Sequence, residues 1–376
     1  MNKKIVYLCD WLPPDFGAVG QYSLLFSEKL AIEGDDVTLV GFSSESSSTI
    51  VKKVNNGCLC IVKIKVRPCD KINIARRVFW AIEVNAILIL KAFKFLKQAE
   101  KIIFTGSPPL LIHFLVPLNF IFRKQLIYRI TDFHPECLMA TRNRIPFGLR
   151  AFYKLTVFWR KKVDRFQVLG EDQRARLHEI GINDDKISLV RDPSPVSIGD
   201  NDYPLEVPEI FSNKIILMYS GNWGVAHDYN TFIDGYRKHH REGSGQIVLW
   251  LNATGVNSEV VETALKNREL PVYRSHPVPL NQLGRLLITP DIHLITLRDE
   301  FVGFVLPSKV YGCIESKKAI LFLGSKRSDV NLLCEQQVDS NLYQRVHIGD
   351  IDGCFNALES LAKQSKEKMP SSENKI

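Results

Sequence analysis

Short apolar runs of the kind that form buried strands alternate with helical stripes through the first two hundred residues. The runs lie at residues 4–8, 37–41, 101–105 and 126–130. Between the first two, an apolar stripe of helical period comprises Tyr22, Leu25, Phe26 and Leu30. Gly34 follows the stripe and is placed to end the helix. This order of strand, loop, helix and strand predicts a doubly wound α/β domain, with ligands beyond the carboxyl ends of its strands.

The same order restarts after a loop-like stretch rich in proline at residues 191–206. Strand-like runs follow at residues 214–219, 247–252, 291–295 and 319–323. The chain is long enough for two domains, so we expect an N-terminal Rossmann-like domain over residues 1–195 and a C-terminal one over residues 196–350. Apolar spacing predicts a last helix over residues 351–365. A return of this helix to the N-terminal domain is one alternative. The polar residues 366–376 are expected to fray.

Residues 303–324 are the most informative segment of the second half, because a loop leads there directly into a helix and a buried strand. Its turn and cap residues are Gly303, Pro307 and Ser308. The start of such a helix presents free backbone N–H groups and the positive end of the helix dipole, which favours an anion. Lys309 in the first turn opposes the dipole unless a phosphate lies there. The alternative is an ordinary surface helix with a solvated lysine.

The charge balance also points to an anionic partner. The 376 residues include 49 Lys and Arg against 41 Asp and Glu, a net charge of +8. Nucleic acid is disfavoured, because the lysines are dispersed and not interleaved with aromatic residues in one stretch. The eight cysteines lack the paired spacing of a zinc site, which favours a reducing compartment. The N-terminus lacks the pattern of a signal peptide, so we expect a cytoplasmic protein.

Two apolar segments of the first half carry basic residues. Residues 79–98 are too interrupted for a confident membrane span, and Lys91, Lys94 and Lys97 lie within them. Residues 110–124 end in a similar basic pair. These segments either pack as buried helices with basic ends or lie at an anionic membrane surface. Both hold if one face of the helix packs and the basic ends stay exposed.

Three titratable side chains follow the strand at residues 126–130. They are Asp132, His134 and Glu136. Because α/β enzymes place their chemistry at the carboxyl ends of strands, these residues are candidates for handling a proton, with helix capping by Asp132 as the alternative. Gly17 and Gly20 lie in the first strand–helix loop. Their spacing does not match the dinucleotide fingerprint, so they serve either a close approach of the backbone to a ligand or simply the turn.

Six short motifs occur together in this order along the chain. They are PPDFGAVG at 13–20, TGSPP at 105–109, DFHPE at 132–136, VLGE at 168–171, YSGN at 219–222 with HD at 227–228, and LPSKVYG at 306–312. In these motifs the chain resembles the GT-B fold glycosyltransferases, and in particular the retaining, nucleotide-sugar-dependent enzymes of glycosyltransferase family 4. The resemblance covers residues 1 to about 350.

The resemblance implies two domains facing each other across a cleft, the first holding the acceptor and the second the donor. It implies transfer from a nucleotide diphosphate, with a UDP-sugar favoured, to a glycan or polyprenyl-phosphate-linked acceptor in surface polysaccharide synthesis. Retention would then use neither an enzyme nucleophile nor a metal or other cofactor. The donor-binding residues that it implies are Gly17, Gly20, Gly221, Asn222, His227, Thr254, Gly303, Pro307, Ser308, Lys309 and Val310.

The chain departs from the family pattern at two places. Many members carry two glutamates eight residues apart near the sugar and ribose, but the matching positions here are not acidic. Glu315 is our candidate substitute, with Glu300 as the alternative. An Arg and Lys pair is also replaced by residues 222–228, so His227 and Lys309 would carry more of the phosphate contact. The competing functions are a nucleotide-sugar epimerase on the same fold and a catalytically degenerate binding subunit.

Overall fold

The computed structural model describes residues 2–15, 17–69, 74–199 and 202–368. The chain divides into two compact units, Met1–Asp192 and Pro193–Ile376. Each unit is built on a largely parallel sheet whose strands are connected by helices. The predicted α/β class with two Rossmann-like domains is therefore confirmed. The division after Asp192 lies three residues before the expected boundary at residue 195.

The first unit contains an eight-stranded sheet. Its strands are β1 (Lys4–Trp11), β2 (Asp36–Ser43), β3 (Ser48–Val54), β4 (Gly57–Lys65), β5 (Lys101–Thr105), β6 (Gln125–Ile130), β7 (Arg165–Val168) and β8 (Ile187–Leu189). The order across the sheet is β3-β4-β2-β1-β5-β6-β7-β8, and only β3 is antiparallel to its neighbour. Strands β1, β5 and β6 are thus adjacent and parallel, so their carboxyl ends lie along one edge.

Among the described residues, six α-helices accompany this sheet. They are α1 (Ala18–Ile32), α2 (Ile74–Gln98), α3 (Leu111–Phe122), α4 (Glu136–Ala140), α5 (Phe147–Arg160) and α6 (Glu171–Glu179). Helix α3 packs against both α2 and α5. None of the described helices is long and apolar enough to cross a bilayer.

The second unit contains a six-stranded, fully parallel sheet in the order β11-β10-β9-β12-β13-β14. The strands are β9 (Ile215–Asn222), β10 (Ile247–Thr254), β11 (Val272–Arg274), β12 (Ile292–Thr296), β13 (Ala319–Leu323) and β14 (Tyr343–Val346). The helices are α7 (Asn230–Glu242), α8 (Val256–Lys266), α9 (Leu280–Ile288), α10 (Lys309–Glu315), α11 (Asp329–Gln337) and α12 (Ile351–Lys368).

The last helix packs inside the second unit. Cys354, Leu358 and Leu361 of α12 are buried in the same core cluster as Phe232 of α7. The two helices approach so closely that a Cβ added at Gly235 would lie 2.6 Å from the Cys354 sulfur. Helix α12 also continues through residues 366–368, where fraying was expected, and residues 369–376 lie outside the described chain.

Candidate functional site

The carboxyl ends of β9 and β10 bring the predicted donor residues of the second unit together. Asn222 lies opposite Thr254 in the parallel register of the two strands. The strand-like runs predicted from the sequence end at residues 219 and 252, but the continuous ladder between β9 and β10 extends both strands through Asn222 and Thr254. Gly255 follows with φ +97°, and a Cβ there would lie 2.1 Å from the Asn222 amide oxygen. Glycine is therefore required beside Asn222, because any side chain would displace it.

Lys309 points its amine towards this strand end. Its Nζ lies 3.2 Å from the centroid of the Tyr219 ring. A Cβ added at Gly221 would lie 3.8 Å from the Lys309 Cε, so the lysine side chain passes directly by that glycine. The Nζ atom is buried and has no hydrogen-bond partner among the described residues. Burial without a carboxylate lowers the pKa of Lys309 well below its ordinary value.

His227 lies beside Lys309 but is held as a neutral ring. Its Nδ1 donates a hydrogen bond to the Thr296 carbonyl oxygen, which can only accept. Burial, assisted by the nearby Lys309 charge, lowers the pKa of His227 to about 3. A neutral ring whose Nδ1–H is engaged offers only the lone pair of Nε2. This geometry opposes the expectation that His227 shares the phosphate contact as a donor.

The start of α10 offers fewer free N–H groups than its sequence suggested. The N–H of Val310 bonds to the Pro307 carbonyl at 3.1 Å, and that of Tyr311 bonds to the Ser308 carbonyl at 3.3 Å. The Val310 side chain is fully buried and the Ser308 side chain does not cap the helix. Because α10 has only seven residues and its first N–H groups are engaged, the expectation of an anion at this helix start depends on Lys309 more than on the helix dipole.

The other candidate donor-binding residues near α10 differ in burial and position. Gly303 is buried with φ +79°, a backbone conformation that favours glycine, and Pro307, four residues later, is also buried. Glu315 is exposed at the far end of α10, about 9 Å along the helix axis from Lys309. Glu300 is also exposed and pairs with Arg298 at 3.3 Å. Neither position supports the idea that these glutamates replace the missing acidic pair near Lys309.

The two glycines of the first loop have structural explanations. A Cβ added at Gly20 would lie 1.7 Å from the Trp11 carbonyl oxygen, so Gly20 lets α1 pack against the end of β1. Gly17 has φ −174°, which any residue can adopt, and precedes α1 as its N-cap. The close approach required at Gly20 is therefore to β1 and not to a ligand. The neighbouring position 16 lies outside the described residues.

The first unit gathers carboxyl groups at the edge shared by β1, β5 and β6. Asp132 follows β6, and Asp10 lies near the end of β1. The Ser107 side chain, just after β5, opposes a rise in the pKa of the Asp10 carboxyl. Burial raises the pKa of Asp10 to about 6, and the neighbouring Asp132 charge adds to this effect. Burial also raises the pKa of Asp132, which the nearby His134 opposes.

Glu136 is separated from this group by its partner. Arg160 of α5 donates to both carboxylate oxygens of Glu136, through Nη1 and through Nη2, the latter at 3.0 Å. The same Nη2 donates to the His134 carbonyl oxygen at 2.9 Å. Glu136 thus belongs to a buried ion pair that fixes the loop carrying His134, which opposes a direct proton-handling role. The sequence pattern does not single out Asp10 or Arg160, although Asp10 is the first acidic residue after the strand-forming run at residues 4–8.

Comparison with known proteins gives a consistent answer. No protein-family model matches the chain. The probable glycosyltransferase WbjE of Pseudomonas aeruginosa is 22% identical over 246 residues, which cover 62% of this chain and 60% of that protein.

Two solved structures cover nearly the whole chain. WaaG, a glycosyltransferase involved in lipopolysaccharide biosynthesis, aligns with 96% of this chain and 91% of its own at a TM-score of 0.64 and 11% identity. Anabaena HepE, in complex with UDP and glucose, aligns with 97% and 91% at a TM-score of 0.66 and 12% identity. The chain therefore has the GT-B glycosyltransferase fold, as its six motifs predicted.

Proposed function

We propose that the chain is a glycosyltransferase that moves a sugar from a nucleotide diphosphate to a growing surface polysaccharide. The observation that carries this proposal is the buried Lys309 ammonium, which has no hydrogen-bond partner among the described residues. Burying a cation without an anion is costly, so its place at a strand end is best explained by an anion that arrives with a ligand. The diphosphate of a nucleotide-sugar is such an anion.

On the donor side, Lys309 would neutralise the charge that develops on the leaving diphosphate. Lys309 lies over the Tyr219 ring and passes by Gly221, where a Cβ would lie 3.8 Å from the lysine Cε. A bound diphosphate would raise the pKa of Lys309 towards its ordinary value, because the opposite charge offsets burial. Asn222 and Thr254 would supply polar contacts at the same edge. No metal is needed for this neutralisation, and the leaving phosphate would assist attack on the same face of the sugar, giving retention.

On the acceptor side, Asp132 is the side chain best placed to take or orient the acceptor proton. Its raised pKa makes it a stronger base than an ordinary aspartate. His134 remains the alternative, because Arg160 holds its backbone but not its ring. Glu136 would act by positioning this loop through Arg160.

Ligand-induced stabilisation tests the donor assignment. UDP, GDP and dTDP, each with and without an attached hexose, are added to the wild type, Lys309→Met and the control Lys326→Met. Lys326 is an exposed lysine of the same unit. We expect one base to raise the melting temperature of the wild type and the control, and Lys309→Met to lose most of that rise. An equal rise in all three proteins would refute the role of Lys309.

We further propose that helices α2, α3 and α5 bind the inner face of an anionic membrane, where a lipid-linked acceptor resides. Their exposed large apolar side chains include Phe79, Leu90, Phe120, Ile121, Phe147 and Phe158, with Ile121 76% and Phe147 86% exposed. Exposed basic residues on the same helices and their ends are Arg76, Arg77, Lys91, Lys94, Lys97 and Arg123. Apolar side chains beside basic ones are suited to the interface of an anionic bilayer.

Vesicle sedimentation tests this surface. Vesicles of phosphatidylglycerol and phosphatidylcholine should bind the wild type, and the double variant Phe120→Ser with Ile121→Ser should bind more weakly. Val256→Ser is the control, because Val256 is 65% exposed in the second unit. Equal binding by all three proteins, or binding equal to that on pure phosphatidylcholine, would count against the proposal.

A catalytically degenerate binding subunit is the second candidate. The observation in its favour is that neither Glu300 nor Glu315 lies in a position to replace the acidic pair of the family. Nucleotide-sugar hydrolysis separates the two candidates. A protein that binds the diphosphate through Lys309 but neither hydrolyses nor transfers the sugar would be the binding subunit.

A further inference from the structure

Helix α2 carries one polar side chain in the stripe that it buries against the rest of the first unit. The neighbouring positions of that stripe are Ala81, Val84, Leu88 and Ala92, each at most 4% exposed, and Asn85 is fully buried. The Asn85 Oδ1 atom has no hydrogen-bond partner in the described part of the chain. Burying a polar atom without a partner costs free energy, so an apolar residue would suit the fold better at this position.

The amide nitrogen of Asn85 is engaged through both of its hydrogens. Its Nδ2 donates to the Ala81 carbonyl oxygen, within α2, at 2.6 Å and to the Pro109 carbonyl oxygen at 2.7 Å. Because both partners can only accept, the side of the amide that faces them is assigned to the nitrogen. The bond to Pro109 joins α2 to another segment, the β5–α3 loop of residues 106–110.

The β5–α3 loop has a backbone conformation that needs support from its surroundings. Leu110, which follows Pro109, has φ +77° and ψ −6°. This left-handed conformation is unfavourable for a residue that carries a Cβ, and it persists where neighbouring contacts enforce it. Asn85 holds the carbonyl that directly precedes Leu110, so its hydrogen bond is placed to enforce this conformation.

The same loop lies against the residue proposed to take the acceptor proton. A Cβ added at Gly106 would lie 2.9 Å from the Asp132 carbonyl oxygen. The Thr105 hydroxyl donates to the Ser107 carbonyl oxygen at 2.5 Å, which tightens the turn at the end of β5. Where backbones pack this closely, a displaced loop would move Asp132 or leave a gap beside it. The hydrogen bond from α2 is therefore connected to the acceptor side of the first unit.

We propose that Asn85 is a positioning residue of the acceptor site, which holds the β5–α3 loop in the conformation that sugar transfer requires. This inference rests on the proposed function, since that function gives Asp132 an acceptor to engage. The amide leaves a buried oxygen unsatisfied and in return fixes the Pro109 carbonyl. A misplacement of about 1 Å can slow a reaction by about a hundredfold, so such an exchange favours activity over stability.

The first experiment follows the loop itself and does not depend on activity. Hydrogen exchange of the full chain is measured by mass spectrometry for the wild type, Asn85→Leu and the control Asn119→Leu. Asn119 makes comparable bonds with the Lys124 backbone at the other end of α3, donating at 2.8 Å and accepting at 2.9 Å.

Asn85→Leu should speed exchange at residues 106–111 by about tenfold, because the loop opens more often without this hydrogen bond. Its melting temperature should stay the same or rise, since leucine removes the unsatisfied oxygen. Asn119→Leu should leave residues 106–111 protected. Unchanged exchange at these residues in Asn85→Leu would overturn the proposal. So would a variant that fails to fold or that exchanges faster throughout the first unit, because Asn85 would then be structural.

The second experiment separates the acceptor from the donor. Transfer from the nucleotide-sugar that stabilises the wild type is measured with a polyprenyl-diphosphate-linked hexosamine as the acceptor probe. In Asn85→Leu the kcat/KM for the probe should fall by about tenfold or more, whereas the KM for the nucleotide-sugar should stay unchanged. Asn119→Leu should match the wild type. Equal losses for donor and acceptor in Asn85→Leu would show a general structural role and overturn the proposal.

The two experiments distinguish the failures. A wild type that neither transfers nor hydrolyses the sugar, but whose loop loosens in Asn85→Leu, would refute the proposed function and keep the link between Asn85 and the loop. An active wild type whose loop exchange ignores the substitution would refute the role of Asn85 alone.

Discussion

The two units share a fold but bury opposite kinds of charge. At its strand ends, the first unit buries the carboxyls of Asp10 and Asp132, and burial raises the pKa of both. The second unit buries the bases His227 and Lys309 at the equivalent edge, and burial lowers the pKa of both. Under the proposed function, one edge would hold a proton and the other would receive an anion, so one scaffold would serve both partners of a transfer reaction.

The units also differ in how completely a buried charge is paired. Arg160 in the first unit satisfies both oxygens of Glu136. Lys309 in the second unit has a ring beneath its ammonium but no acceptor among the described residues. A fully paired charge is expected to be structural, and an unpaired one is expected to await a ligand. The following variants test this distinction.

The largest expected effect is on the paired charge. Arg160→Met leaves Glu136 buried without its partner, and removing one member of a buried pair costs about 3–5 kcal/mol in the free energy of unfolding. Urea unfolding measures the loss. Lys161→Met is the control, because Lys161 is the adjacent exposed residue. A loss of less than about 1 kcal/mol would mean that the pair is not structural.

Acid should weaken the second unit through its buried histidines. His293 is buried, donates to the Leu287 carbonyl at 2.9 Å, and has its pKa lowered by burial to about 4. The unfolded chain binds this proton near pH 6.5, so stability is full above that pH and falls as pH drops towards 4. Between pH 7.5 and pH 5 the loss from this residue should be about 2 kcal/mol.

His293→Gln checks this expectation, because glutamine keeps an N–H donor but does not titrate. Its free energy of unfolding should depend less on pH over the same range.

Asp10 should affect the pH dependence of stability in the opposite direction. Its raised pKa means that the folded state binds a proton at higher pH than the unfolded chain does. The wild type should therefore gain stability from this residue as pH falls from 6 towards 4, and Asp10→Asn should lack that gain. If the free energies of unfolding of His293→Gln and Asp10→Asn depended on pH in the same way, the contrast between the two units would be contradicted.

The smallest effect is the most informative for the unpaired charge. Removing water from an ammonium costs several kcal/mol, whereas its contact with an aromatic ring returns about 2 kcal/mol. Lys309→Met should therefore raise the free energy of unfolding of the ligand-free protein by about 1 kcal/mol, even though it abolishes diphosphate binding. Lys326→Met should stay within about 0.5 kcal/mol of the wild type. A clear loss of stability in Lys309→Met would assign Lys309 to the fold.

The sequence predicted the fold because apolar runs and helical stripes record burial directly. It also singled out Lys309, since a cation in the first turn of a helix is unfavourable without an anion, and its role in donor binding stays a prediction. It could not predict the partners formed by tertiary contact. Arg160 meets Glu136 from a helix 24 residues later, and the role of Gly20 depends on where β1 ends. The spacing along α10 places Glu315 at the opposite end of the helix from Lys309, which does not favour its suggested role.

Tyr219 lies between Lys309 on one side and Trp223 on the other. The Tyr219 and Trp223 rings are nearly parallel, with centroids 3.8 Å apart, and Trp223 is fully buried. An anion that draws the ammonium away from the Tyr219 ring would change the electric field at the indole. A shift in the fluorescence emission of Trp223 is therefore expected to report anion binding near Lys309 without an added label.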